Sequence, residues 1–272
     1  MNLFVSKDVQ LHYRQDGDPN GAPLVFANSL GTDLRLWDPV LPYLPKGLRI
    51  IRYDKRGHGL SSCPTGAYTM GALVHEIEAL LDHLKVKKCL FVGLSIGGMI
   101  AQGLAAKRLD LIRAVVLSNT GAKIGQPTLW HDRIAAVETG GIEALADSIL
   151  ERWFSRDFQA QPDLALWRNM LVRQPDAGYM GCCAAISGTD FHKQTSGLRL
   201  PTLGIAGSED GSTPPDLVRE TVNLIPGAKF QLMRKAGHLP CVEQPQEYAK
   251  HLTDFMLETG HITVTQVETG SS

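Results

Sequence analysis

The sequence predicts an α/β fold: a mostly parallel, eight-stranded sheet flanked by helices, with a helical lobe inserted between two of the strands. Three observations carry this reading. Short apolar runs of strand length recur without polar alternation, as strands covered on both faces require. Segments with apolar residues spaced by three and four lie between them. The interval 123–193 holds helical patterns and no convincing strand.

The elements follow in order. Residues 2–14 alternate, with Leu3, Val5, Val9, Leu11 and Tyr13 apolar around a polar break at Lys7-Asp8, and read as an antiparallel hairpin before a turn at 16–21. Residues 23–27 and 48–53 are the next strands. Residues 68–84 set Leu73, Ile77, Leu80, Leu81 and Leu84 on one helical face, 89–92 is a buried strand, 95–108 a helix and 114–117 a strand. Beyond the lobe, 202–206 is a strand, 216–224 a helix, 229–233 a strand and 244–255 a helix. The core is therefore expected over 1–122 and 194–258, the cap over 123–193, and a disordered polar tail over 259–272. Inside the cap, 134–137, 142–154, 164–172 and 179–186 are helical patterns. Trp130, Trp153 and Trp167 either hold the cap together or present an apolar wall.

A chain of 272 residues, 43% hydrophobic and 20% charged, is enough for one large core. With 27 basic and 28 acidic residues the formal charge is -1, so neither nucleic acid nor an anionic membrane is an expected partner. Lys7-Asp8 interrupts the first residues before the apolar stretch of a signal peptide can form, and no apolar run approaches the roughly 20 residues of a membrane span. A cytoplasmic protein is expected. The five cysteines, Cys63, Cys89, Cys182, Cys183 and Cys241, follow no CxxC spacing, which disfavours a disulfide framework or structural zinc. Cys182-Cys183 reads as buried small residues rather than a redox pair. Cys241, three residues after His238, is a candidate pocket-lining residue.

Chemistry is concentrated at strand ends. Gly93-Leu94-Ser95-Ile96-Gly97 follows an apolar strand and opens a helix, the setting in which a serine is forced through a sharp turn flanked by residues without a Cβ. Such a turn holds the hydroxyl at the carboxyl edge of the sheet. The plainer alternatives are a glycine-rich helix start and a phosphate-binding loop, and the latter lacks its G-K-[ST] ending. A serine nucleophile needs a base and a third group that fixes the base. Asp210, in the polar turn 208–214, is the candidate acid, with Glu209 its competitor. His238, in Ala236-Gly237-His238-Leu239-Pro240, is the candidate base. The other histidines (His12, His58, His75, His83, His131, His192, His251 and His261) default to structural or surface roles. Attack on a carbonyl builds an oxyanion that backbone N–H groups stabilise. Ile96, next after the serine, supplies one.

With Asp54-Lys55-Arg56-Gly57-His58-Gly59-Leu60-Ser61, which matches D-x-R-G-x-G-x-S, these residues resemble the α/β-hydrolase family over nearly the whole core. Within that family, residues 28–37, 52–59, 93–99 and 117–125 are similar to the 3-oxoadipate enol-lactonases. The resemblance implies a second oxyanion donor at Leu30 N–H, in a loop where Asn28-Ser29 replaces the usual His-Gly. It also implies, as small-molecule partner, a lactone bearing a carboxylate, hydrolysed in the β-ketoadipate route without metal or organic cofactor. A carboxylate beside an apolar pocket needs a cation or several donors. Arg133 in the cap is the candidate, with Trp153 as an apolar wall; pairing of Arg133 with Asp132 or Glu138 is the plainer alternative. Another capped hydrolase, whether carboxylesterase or cofactor-free perhydrolase, and a non-catalytic ligand sensor both stay open, as does the oligomeric state.

Overall fold

A computed structural model describes residues 2–6 and 8–263. In chain order the elements of the first half are β1 (Asn2–Val5), β2 (Gln10–Gly17), β3 (Ala22–Ala27), β4 (Leu48–Tyr53), α1 (Met70–His83), β5 (Cys89–Leu94), α2 (Ile96–Lys107) and β6 (Ile112–Ser118). Six helices then intervene: α3 (Pro127–Gly140), α4 (Ala146–Trp153), α5 (Arg156–Gln159), α6 (Leu164–Val172), α7 (Asp176–Ser187) and α8 (His192–Ser196). The chain closes with β7 (Thr202–Gly207), α9 (Pro215–Asn223), β8 (Lys229–Met233), α10 (Pro240–Glu243) and α11 (Pro245–Glu258).

The eight strands form one sheet in the order β1-β2-β4-β3-β5-β6-β7-β8. β1 and β2 run antiparallel to their neighbours, and the remaining pairs are parallel. Every residue of β5 and β7 is buried, which accounts for their uninterrupted apolar character. α2 packs on β5 and β6, α1 packs on α2, and α9 packs on β7 and β8.

The register explains where chemistry can gather. Ala27 pairs with Gly93, Gly93 with Leu117, Leu94 with Ser118, Ser118 with Ile205, and Gly207 with Met233. The carboxyl ends of five strands therefore finish level, and the residues just past them, Asn28, Ser95, Asn119, Asp210 and His238, emerge on one edge. The strand order reverses between β3 and β5, the crevice where open α/β sheets take ligands.

The helices between β6 and β7 cover that edge. α3 packs on α7 and α4 on α6, whereas α8 packs back on α2 of the core. The helical patterns at 134–137 and 179–186 extend to Pro127–Gly140 and Asp176–Ser187: proline in the first turn starts α3 without an apolar signature, and Pro175 caps the start of α7. Trp130, Trp153 and Trp167 are all buried. The expected tail divides in two. Residues 264–272 lie outside the described residues, but within 259–263 the chain is anchored: His261 and Ile262 are buried, and His261 Nε2 lies 3.1 Å from Pro23 O. This corrects the expectation of disorder from residue 259, since one apolar side chain and one imidazole anchor the segment against the amino end of β3. Among the described residues no helix is long and apolar enough to cross a membrane.

A close backbone contact joins β3 to the start of α2, where a Cβ at Gly97 would stand 2.2 Å from Ala27 O. Gly97→Ala is therefore expected to destabilise the fold by about 1–3 kcal/mol, the usual range for overpacking. Urea denaturation reads this directly, and a wild-type midpoint would contradict the packing described.

Candidate active site

Ser95 is the turn between β5 and α2, with φ 58° and ψ -120°. A non-glycine residue rarely adopts such a backbone, which costs of order 1–3 kcal/mol and persists only where surroundings enforce it. Here they do: Ser95 N donates to Ser118 O at 3.0 Å, and Ser95 O accepts from Gly98 N at 2.9 Å and Thr120 Oγ1 at 2.6 Å. The side chain lies in the wall of a cavity of about 250 Å³, which Ser29, Leu30, His238, Arg133, Arg152 and Trp153 also line. Larger clefts exist, including one of about 540 Å³ beside His12 and Arg173, but none contains this set of residues.

His238 and Asp210 form a buried pair, with Nδ1 and Oδ2 2.9 Å apart. Burial alone would raise the Asp210 pKa. The neighbouring imidazole, Asn119 Nδ2 at 2.9 Å and Thr213 N at 2.9 Å outweigh it, so the carboxyl titrates below its usual value. Thr213 Oγ1 and Ser212 N donate as well, at 2.8 and 2.7 Å. A carboxylate so fully supplied stays ionised and fixes the Nδ1–H tautomer of its partner. His238 Nε2 then faces the cavity, 3.4 Å from Ser29 Oγ. No hydrogen bond within 3.5 Å joins it to Ser95 Oγ, a contact that commonly tightens only when substrate binds. Glu209 points elsewhere: its Oε2 accepts from Arg156 N at 3.1 Å.

Leu30 N–H and Ile96 N–H donate to no acceptor among the described residues, and both residues are buried. Leu30 lines the cavity together with Ser95, and Ile96 follows Ser95 directly in the chain. Asn28, at the position usually held by histidine, is a pin: Nδ2 donates to Tyr53 O at 2.8 Å, and Oδ1 accepts from Trp37 Nε1 at 2.7 Å. Asp54 likewise serves the scaffold, accepting from Leu34 N at 2.7 Å and Leu60 N at 3.0 Å.

Arg133 and Trp153 both reach the cavity. The Arg133 guanidinium sits over the Trp130 ring, 5.1 Å from its centroid, and has no carboxylate within 4.0 Å among the described residues, so the pairing with Asp132 or Glu138 does not form. Sequence reasoning missed the second guanidinium, Arg152. It is half-buried, and burial followed by the Arg133 charge lowers its pKa. Its place beside Trp153 at the end of α4 was the available signal. Asn119 was missed too, although it follows a strand end as Ser95 does. Cys241, expected at the pocket, is instead fully buried and does not line the cavity, because α10 turns that side chain into the core. All five cysteines are free thiols. Among the described residues no group of three or more His, Cys, Asp or Glu side chains is placed to hold a metal ion.

The cap is stitched to this site by backbone. His238 N donates to Trp153 O at 2.7 Å and Gly211 N to Arg152 O at 3.1 Å. Glu243 completes the seam, accepting from Gly237 N at 2.7 Å, Ser155 N at 3.2 Å and Ser155 Oγ.

Residues 22–245 match a family described as alpha/beta hydrolase fold. The chain is 34% identical to 3-oxoadipate enol-lactonase 2 of Acinetobacter baylyi over 249 residues, 91% of this chain and 93% of that one. To 3-oxoadipate enol-lactonase 1 of the same organism it is 32% identical, over 89% and 91% of the two chains. Among solved structures, an enol-lactonase from Burkholderia xenovorans LB400 aligns with a TM-score of 0.90 at 38% identity, covering 94% of this chain and 99% of that one.

Glu243→Ala leaves two buried backbone donors and a hydroxyl unpaired, for an expected loss of about 1–3 kcal/mol. Because burial already pushes the Glu243 pKa up, Glu243→Gln should be the milder change. Thermal unfolding of the two variants separates them, and an alanine variant with the wild-type midpoint would contradict the seam.

Proposed function

The chain belongs to the α/β-hydrolase fold family, and from that premise we propose that this hydrolase opens 3-oxoadipate enol-lactone to 3-oxoadipate by acyl-enzyme chemistry on Ser95. The observation that carries the proposal is the Asp210–His238 pair, 2.9 Å apart, beside a strained serine in a cavity that also presents two guanidiniums without carboxylate partners among the described residues. Hydrolysis explains the first part, and an anionic substrate explains the second.

In the first half-reaction His238 Nε2 takes the Ser95 proton as Oγ attacks the lactone carbonyl. Asp210 holds the imidazole and offsets the charge it acquires. Leu30 N–H and Ile96 N–H receive the oxyanion, each worth about 3 kcal/mol in the transition state. Collapse breaks the ring C–O bond, and the enol oxygen takes the proton from His238. The leaving group remains tethered to the acyl chain, so reclosure has the high effective molarity of an intramolecular attack. Tautomerisation of the enol to a ketone removes that nucleophile. Water activated by His238 then attacks the acyl carbon and frees Ser95.

Size and charge support the substrate class. The cavity, at about 250 Å³, is smaller than pockets for drug-sized ligands and suits a compact lactone. Arg133 and Arg152 bind its carboxylate, while Trp153 and Trp130 cover its apolar edge. The relatives named above are enol-lactonases over nearly their full length. The proposal assigns the enzyme to the β-ketoadipate route in the cytoplasm.

The decisive assay follows the loss of the enol-lactone's ultraviolet absorbance. Wild-type protein should turn the lactone over, and Ser95→Ala should lose about 10⁴-fold or more in kcat; an alanine variant of near wild-type rate would exclude Ser95 as nucleophile. Arg133→Ala tests the anion site. A charge-assisted hydrogen bond is worth about 1.5–3 kcal/mol, so kcat/KM on the enol-lactone should fall about 10- to 100-fold while a neutral ester is spared. Equal losses on both substrates would sink the carboxylate role.

A further inference from the structure

Lys55 is a fully buried lysine whose Nζ donates to Ser29 O at 2.6 Å and Thr32 O at 3.3 Å. No carboxylate lies within 4.0 Å of it among the described residues. A buried ammonium held only by backbone carbonyls is expensive, and a fold has little reason to keep one for stability. The carbonyl it grips belongs to the Ser29–Leu30 peptide group. In a planar trans peptide the C=O and N–H point in opposite directions, so a cation fixed on Ser29 O turns Leu30 N–H the other way, toward the cavity. Thr32 Oγ1 donates to the same oxygen at 2.9 Å, and Gly31 N donates to His58 Nε2 at 3.0 Å, holding the next peptide as well.

We propose that Lys55 is a positioning residue for the oxyanion hole, in which its ammonium locks the Ser29–Leu30 peptide and polarises it so that Leu30 N–H is a stronger donor to the tetrahedral intermediate. The inference rests on the acyl-enzyme reading of Ser95. Hydrogen bonds in series strengthen one another, so a charged donor on the carbonyl side sharpens the donor on the amide side. The gain appears only when charge develops on the substrate oxygen, and it therefore belongs to kcat rather than to ground-state binding.

A pH dependence follows. Burial, the dominant cause, pushes the Lys55 pKa down to about 8. The groups that face it are Asp33, Asp54, Cys182 and His58. Of these, the Cys182 thiol is pushed by burial up to about 12, His58 is pushed well below its usual range, and Asp33 is lowered. A titration near pH 8 in this cluster is thus that of Lys55. A lysine whose folded pKa is lowered costs stability while charged, and the cost lifts as pH rises through the folded value. Loss of turnover above about pH 8 is therefore not loss of fold.

The test is steady-state kinetics on the enol-lactone from pH 6 to 10 with wild type, Lys55→Met, Lys55→Gln and Ser95→Ala, each checked by thermal unfolding. Wild-type kcat should decline above about pH 8. Lys55→Met should lose about 10- to 100-fold in kcat with KM little changed, since misaligning a donor costs less than deleting one. Lys55→Gln, a neutral donor, should fall between and show no basic decline. Variants with wild-type kcat, or losses confined to KM, would overturn the inference while an inactive Ser95→Ala left the acyl-enzyme reading intact. An active Ser95→Ala would remove the reading and the inference together. Should Lys55→Met fail to fold, Lys55→Gln and the wild-type pH profile still decide.

Discussion

A serine at φ 58° and ψ -120° is the constraint on which the rest of this structure depends. The turn can exist only because the chain around it has no side-chain bulk: a Cβ at Gly93 would stand 2.2 Å from Gly97 O. The strain places the hydroxyl above the carboxyl edge of the sheet, and the parallel register brings the ends of β3, β6, β7 and β8 level with it. Each neighbouring strand then contributes one loop to the same cavity. β3 gives the Ser29–Leu30 peptide, β6 gives Asn119, β7 gives Asp210 and β8 gives His238.

The loops do not hold themselves. Trp153 O and Arg152 O, at the end of α4 in the cap, take the backbone N–H groups of His238 and Gly211. The same two residues turn their side chains into the cavity. The cavity wall and the orientation of the Asp210–His238 pair are therefore coupled through one helix end, and a shift of the cap would disturb both. On the opposite wall, Lys55 and His58 brace the Asn28–Thr32 loop from within the core. Two separate supports thus meet at the candidate site.

Much of this was legible in the sequence because it depends on local patterns. The glycines around Ser95, the apolar runs of β5 and β7, and polar turns following strands are features of adjacent residues, and they led to Ser95, Asp210, His238 and the inserted helices. What escaped depends on contacts between distant segments. Nothing near Glu243 indicates that it bonds to Ser155, and nothing near Lys55 indicates that it reaches Ser29 O. Arg152 carried an ordinary helical-surface pattern until the fold turned it beside Arg133. Cys241 and residues 259–263 were misread for a related reason: proximity to His238 and a polar composition did not reveal which way the chain turns.

The central claim is a covalent bond between Ser95 and the acyl carbon, and mass spectrometry of acid-quenched single turnovers tests it most directly. Because the enol stays tethered to its acyl chain, the peptide containing Ser95 should gain the mass of the whole lactone, transiently and on that hydroxyl. An adduct on a carboxylate or on Ser29, or turnover that proceeds with no covalent species at any quench time, would contradict the account.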